Sequence, residues 1–184
     1  GVSVHPGFAK DKMRNAVSLM AEWQMALPAE ERPEYTEGYQ GFYHTLRVNG
    51  GTDHVEIDMI LRDHDKAILE ARKQFVLDLA EKLNAKYGSN VVECKLQDCY
   101  SNMKEYIMPK YEVVERAEKA MAKANVIPKI IPIRGGTDGA RLSEMGLPCP
   151  NIFAGGHNFH GRFEYLPLQS LMNATEVIIN LVEA

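Results

Sequence analysis

Apolar residues recur at helical spacing over residues 9–27 (Met13, Ala16, Val17, Met20, Leu27), and Pro28 and Pro33 end the pattern. Residues 29–40 are polar and read as a loop. From Phe42 the period changes to two, with Phe42, His44, Leu46 and Val48 on one face and Tyr43, Thr45 and Arg47 on the other. Asn49-Gly50-Gly51 supplies a turn, because Asn and Gly accept positive φ, and Val55, Ile57, Met59 and Leu61 alternate again beyond it. Two strands around this turn predict a hairpin. The run Asp63-His64-Asp65 carries helix-capping residues, a helix follows over 66–87 with Ala71, Phe75, Leu79 and Leu83 on one face, and Gly88 ends it. The stretch VVECKLQ at 91–97 predicts a further strand.

The order that results is βαββαβ, the split ferredoxin-like arrangement, with its first strand represented only by Val2 to His5. A shortened edge strand leaves backbone groups open to pairing with another chain. Beyond residue 107 the pattern changes. A helix is expected at 110–124 (Val113, Val114, Ala117, Ala120, Met121), then a short strand KIIPI at 129–133 and a short helix at 139–145 stopped by Gly146. PNIFAGG at 150–156 reads as a second short strand and loop, and a final helix spans 167–183 with Leu168, Leu171, Met172, Ile178, Ile179 and Val182 apolar. Helices alternating with short apolar strands predict a parallel α/β layer. Two strands are too few to be covered on both faces, so this part reads as half of a larger domain. The opening GVSVHPG reads as the tail of a strand entering a turn, which fits either a trimmed piece that folds alone or a start inside a fold.

Composition narrows the function. The 184 residues are 45% hydrophobic and 25% charged, as in a globular protein, and a net charge of −4 gives no footprint for nucleic acid. No apolar run approaches the roughly 20 residues that span a bilayer, and no signal segment is evident. Cys94, Cys99 and Cys149 are odd in number and lack metal spacing, which suggests reduced thiols in a cytoplasmic protein.

Chemistry concentrates between residues 133 and 161. The run Arg134-Gly135-Gly136-Thr137-Asp138-Gly139 sits between an expected strand and an expected helix. Its glycines permit close backbone approach, Thr137 or Asp138 is placed to cap the helix, and Arg134 offers a planar donor for a carboxylate. The same pattern also suits a plain tight turn beside a solvent-facing arginine. His157 and His160 lie in a glycine-flanked loop, where imidazole serves as a metal ligand or as a polar loop group. His5, before Pro6-Gly7, fits a solvated turn histidine. Arg62-Asp63-His64-Asp65 fits a capped helix start with a local arginine pair as readily as a metal cluster. Asn102 is unremarkable by itself, and Met13, Met20 and Trp23 fit a core.

Taken in order, VHPGFAKDKMRNA, TEGYQGFYH, LRDHD, YSNMKE, PIRGGTDGARLSEMGLPCPN and GGHNFHGRFEYLP resemble the C-terminal half of the peptidase T family, the di-zinc tripeptide aminopeptidases. A wider group includes acetylornithine deacetylase-like and carboxypeptidase G-like hydrolases. The resemblance implies an α/β zinc-exopeptidase domain interrupted by a ferredoxin-like lid that mediates dimerisation. Residues 1–106 would be that lid, with a truncated first strand, and residues 107–184 the C-terminal part of the catalytic domain. It implies two zinc ions sharing an activated water, with His160 as a metal ligand and the other ligands and the glutamate base outside this chain. It implies that His5 stabilises the oxyanion in the partner subunit's site, that Arg134 holds a substrate carboxylate, and that Asn102 and Arg62 face the substrate. His157 is not carried over, because related loops accept tyrosine there. The expected parent is a cytoplasmic tripeptidase acting as a homodimer on tripeptides; a related deacylase or carboxypeptidase, or a non-catalytic dimerisation module, is the alternative. The piece alone is expected to be inactive and without bound metal.

Overall fold

The computed structural model describes residues 1–183, which fall into two compact units, 1–97 and 98–183. In the first unit α1 spans Ala16–Ala26. It starts where the Asn15 side chain accepts a hydrogen bond from the Val17 amide (2.9 Å), not at residue 9, because Asp11 takes φ 58° and Pro6–Phe8 form a separate turn. Ala16, Leu19 and Trp23 are its buried residues, and Leu27 just after its end is buried with them. This stripe is rotated from the expected one, and Val17 is exposed.

Strands β1 (Phe42–Gly50) and β2 (Val55–Arg62) form the expected antiparallel hairpin. Its turn is closed by the Gly51 amide donating to the His54 carbonyl at 2.7 Å, one step beyond the Asn49-Gly50 pair. A bulge between Thr45 and Arg47 leaves Leu46 unpaired. It also turns Val48 opposite Ile57, onto the face shared by Tyr43 and Thr45, where strict alternation had put it with Phe42 and His44.

Helix α2 spans Lys66–Tyr87. Asp65 caps it by accepting from the Ile68 amide (3.0 Å), and Gly88 ends it at φ 110°. Across its last turn, Arg14 donates to the Tyr87 carbonyl at 2.8 Å, where a cation suits the negative end of the helix. The core lies between the helices and one hairpin face, built from Trp23, Leu27, Tyr43, Val76, Leu79, Ala80 and Leu83. Trp23 donates its indole N–H to Met59 Sδ at 3.3 Å.

The α/β class and the helix–hairpin–helix order follow the sequence, but two of the four strands do not form. Val2 pairs with Arg14 instead of joining the sheet. Residues 91–97 make no ladder and are pinned by one side chain. Asn84 of α2 accepts from the amides of Val91 and Val92 (2.8 Å each) and donates to the Val92 carbonyl (2.9 Å). Val92 and Cys94 still pack on the core. A strand exists only with a neighbour, and here a carboxamide takes the neighbour's place.

The second unit contains α3 (Lys104–Ile107), α4 (Glu112–Lys123), α5 (Asp138–Glu144) and α6 (Leu168–Val182). Helix α4 packs on α6, and Ala117, Ala120, Ala174 and Val177 are the buried residues of the pair. The strands expected at 129–133 and 150–156 are absent among the described residues. Pro132 removes a donor from the first, and neither run has a strand beside it. Apolar side chains expected to pack on a sheet are therefore exposed, Ile130 at 66% and Ile131 at 61%.

Candidate functional site

In the first unit His5 caps the short turn Pro6–Phe8. Its Nδ1 accepts from the Gly7 amide at 3.1 Å, so in the neutral ring the proton resides on Nε2. The side chain is exposed and its ring lies 5.4 Å from that of Phe8. A donor held in a fixed tautomer can stabilise a developing negative charge.

Arg62 ends β2, paired in register with Phe42 on the face opposite Tyr43 and Leu61. Beneath it lies a network that sequence reasoning missed. Asp63, whose side chain is only 5% exposed, accepts from Arg72 Nε at 3.0 Å and from the Asp65 amide at 3.0 Å. The second arm of Arg72 pairs with Glu31, and its guanidinium lies 4.9 Å from the centre of the Tyr43 ring. Burial works against the Arg72 charge, but hydrogen bonds to Glu31 and Asp63 outweigh it and hold the guanidinium above its ordinary value. Burial also pushes the Tyr43 phenol up. The sequence signal was there: Arg72 falls on the helical stripe of Val76, Leu79 and Leu83, a charge at a core position. Asp63 and Asp65 thus cap and pair; they do not form a metal cluster.

In the second unit Asn102 accepts from the Lys104 amide at 3.0 Å and so begins α3. The Arg134 loop is held by α5. Thr137 caps that helix by accepting from the Ala140 amide (3.2 Å), and the Asn151 amide donates to the same hydroxyl (3.2 Å). Gly139 has no room for a side chain, since a Cβ would lie 2.5 Å from the Cys149 carbonyl. Tyr100 lies over Gly136 in the same way, a Cβ there falling 2.5 Å from its hydroxyl. An open depression of about 590 Å³ is lined by Tyr100, Gly136, Thr137, Asp138, Arg141 and Asn151, among others. Arg134 itself is half-buried.

His160 projects from a closed loop. His157 and Tyr165 exchange backbone hydrogen bonds (2.9 and 3.2 Å) and stack their rings 5.0 Å apart. Between them Asn158 and His160 adopt φ 55° and 64°, and the Glu164 carboxylate accepts from the His160 amide at 2.8 Å. A left-handed histidine is uncommon and is kept there by this network. The side chain remains exposed, whereas His157 is engaged with Tyr165. The described residues gather no group of three His, Cys, Asp or Glu side chains able to hold a metal ion. Zinc takes at least three protein donors, so His160 and its surroundings do not make a zinc site by themselves.

Residues 1–91 match the family model described as "Peptidase dimerisation domain". Over its length the chain is similar to proteins named peptidase T. It is 49% identical over 183 residues to "Peptidase T" of Caldanaerobacter subterraneus subsp. tengcongensis, covering 100% of this chain and 45% of that protein. It is 52% identical over 181 residues to "Peptidase T" of Listeria innocua serovar 6a, covering 98% and 44%. The chain thus spans about half the length of the curated relatives it matches. The crystal structure of aminopeptidase PepT from Bacillus cereus ATCC 10987 shares the fold, with a TM-score of 0.58 at 20% identity over 98% of this chain and 48% of that one.

Proposed function

We propose that this chain is the C-terminal half of a zinc-dependent aminopeptidase that releases the N-terminal residue of tripeptides. The observation that carries the reading is near 50% identity across the chain to proteins named peptidase T, combined with coverage of only 45% of their length. In this reading residues 1–106 are the lid through which the peptidase forms a homodimer, and residues 107–184 are the end of the catalytic domain.

Within that reading His5 donates from Nε2 to the tetrahedral oxyanion in the partner subunit's site, for which its Gly7-fixed tautomer is suited. Arg134 takes the substrate carboxylate, and Asn102 and Arg62 face the substrate. His160 supplies one imidazole to a zinc centre whose other ligands lie outside this sequence. When bound, zinc would supply Lewis-acid chemistry; this chain's own residues orient and bind. No helix among the described residues is long and apolar enough to cross a membrane, and Cys94 and Cys149 are free thiols. Free thiols are in keeping with a cytoplasmic enzyme.

The test is hydrolysis by the peptidase that contains this sequence in full. Tripeptides should be turned over far faster than N-acetyl amino acids, with His5→Ala lowering kcat by on the order of 100-fold. Equal or better turnover of the acetylated compounds would replace the reading with a deacylase. Dimer formation without hydrolysis of either class would leave a dimerisation module.

A further inference from the structure

The trio Glu31, Arg72 and Asp63 has no assigned role. It joins the turn at Ala29–Glu31, the end of β2 and the buried face of α2, with Tyr43 of β1 under the guanidinium. Its geometry is fixed from every side. Asp63 has both carboxylate oxygens engaged, one by Arg72 Nε and one by the Asp65 amide. Gly41 leaves no space above it, since a Cβ there would lie 2.1 Å from Asp63 Oδ2 and 2.3 Å from the Arg62 carbonyl. Charged groups as well buried as Arg72 and Asp63 are a poor source of stability, because desolvation offsets most of their attraction and packed apolar residues serve as well. What such a network gives is one backbone path.

The path it fixes is that of Arg62 and His64, the neighbours of Asp63. His64 is met from the other side by Tyr39, ring to ring at 5.1 Å and edge-on. Tyr39 is presented by a tight turn in which Gly38 takes φ 55°, the Gln40 amide donates to the Glu37 carbonyl (3.0 Å) and the Glu37 amide donates to the Gln40 side chain (2.8 Å). An exposed tyrosine on a turn built this closely is a second sign that the end of β2 is held for use.

We propose that Arg72 is a positioning residue: through Asp63 and Glu31 it sets the end of β2 so that Arg62 meets an anionic group of the substrate. This rests on the reading that Arg62 faces the substrate. Lysine cannot replace Arg72, because a single ammonium lacks the rigid fork that reaches Asp63 and Glu31 together.

The experiment compares a tripeptide with its C-terminal amide in the complete peptidase, for wild type, Arg72→Lys, Asp63→Asn and Arg62→Ala. Far-UV circular dichroism and thermal melting report that each variant is folded. Arg62→Ala should lower the acid-over-amide preference in kcat/KM by on the order of tenfold. Arg72→Lys and Asp63→Asn should lower it in the same direction, through KM for the acid and with KM for the amide unmoved. If Arg62→Ala collapses the preference while folded Arg72→Lys or Asp63→Asn keeps it, the network is structural only and the inference is overturned. If Arg62→Ala leaves the preference intact, the substrate-facing reading of Arg62 fails first and the inference falls with it.

Discussion

Replacing Asn84 by Ala removes, in one step, the acceptor for the Val91 and Val92 amides and the donor to the Val92 carbonyl. Each such bond contributes about 1 kcal/mol net. Val91 and Val92 are half-buried, so water recovers part of the loss, and alanine regains about 0.5 kcal/mol of helix propensity. The expected destabilisation is about 2 kcal/mol, which for a unit of this size lowers Tm by roughly 10 °C. Trp23 is the only tryptophan and sits in the core that Val92 and Cys94 cover, so its fluorescence follows this unit selectively. Asn84→Asp keeps the acceptors but loses the donor, and should fall between wild type and Asn84→Ala. Hydrogen exchange at the Val91 and Val92 amides should accelerate in both variants. A Tm for Asn84→Ala within about 2 °C of wild type, with exchange at those amides unchanged, would refute the idea that one carboxamide stands in for a missing strand.

Gly139→Ala forces a Cβ against the Cys149 carbonyl and should cost the second unit about 1–3 kcal/mol, seen as faster exchange of the Cys149 amide that now donates to Ser143. Glu22 accepts from Lys86 Nζ (2.7 Å) and the Tyr87 hydroxyl (2.6 Å), and these bonds, the Lys86 one foremost, hold its carboxyl below the ordinary 4.5. Its contribution is therefore complete above that ordinary value and lost as pH falls through the lowered one, so the Tm gap between wild type and Glu22→Gln should close on acidification below about pH 4.5. Zinc titrated calorimetrically into this chain alone should bind only weakly; a one-to-one complex with Kd below about 1 µM would reveal donors beyond His160.

The hairpin was legible because alternation over Val55–Leu61 is a local property, as was α2 between Asp65 and Gly88. The runs at 91–97, 129–133 and 150–156 are apolar enough for strands, yet strand formation needs a neighbour that no local pattern encodes. The bulge at Leu46 was equally hidden, and it moved Val48 to the other face. At the site, the cap on α5 and the turn around His5 could be read from Thr137 and Pro6-Gly7. The roles of His5, Arg134 and His160 came from motif resemblance, since an exposed loop histidine has no signature of its own. Arg72 was readable in hindsight, as a charge on an apolar helical stripe.

The bulge at Leu46 has a further consequence. A nine-residue strand that pairs on one edge only, among the described residues, offers a comb of amides and carbonyls on which identical molecules could stack. The bulge at Leu46 breaks that comb at its middle, which disfavours regular stacking of copies along it. Protection against runaway polymerisation is thus written into the same strand that carries Tyr43 to Arg72.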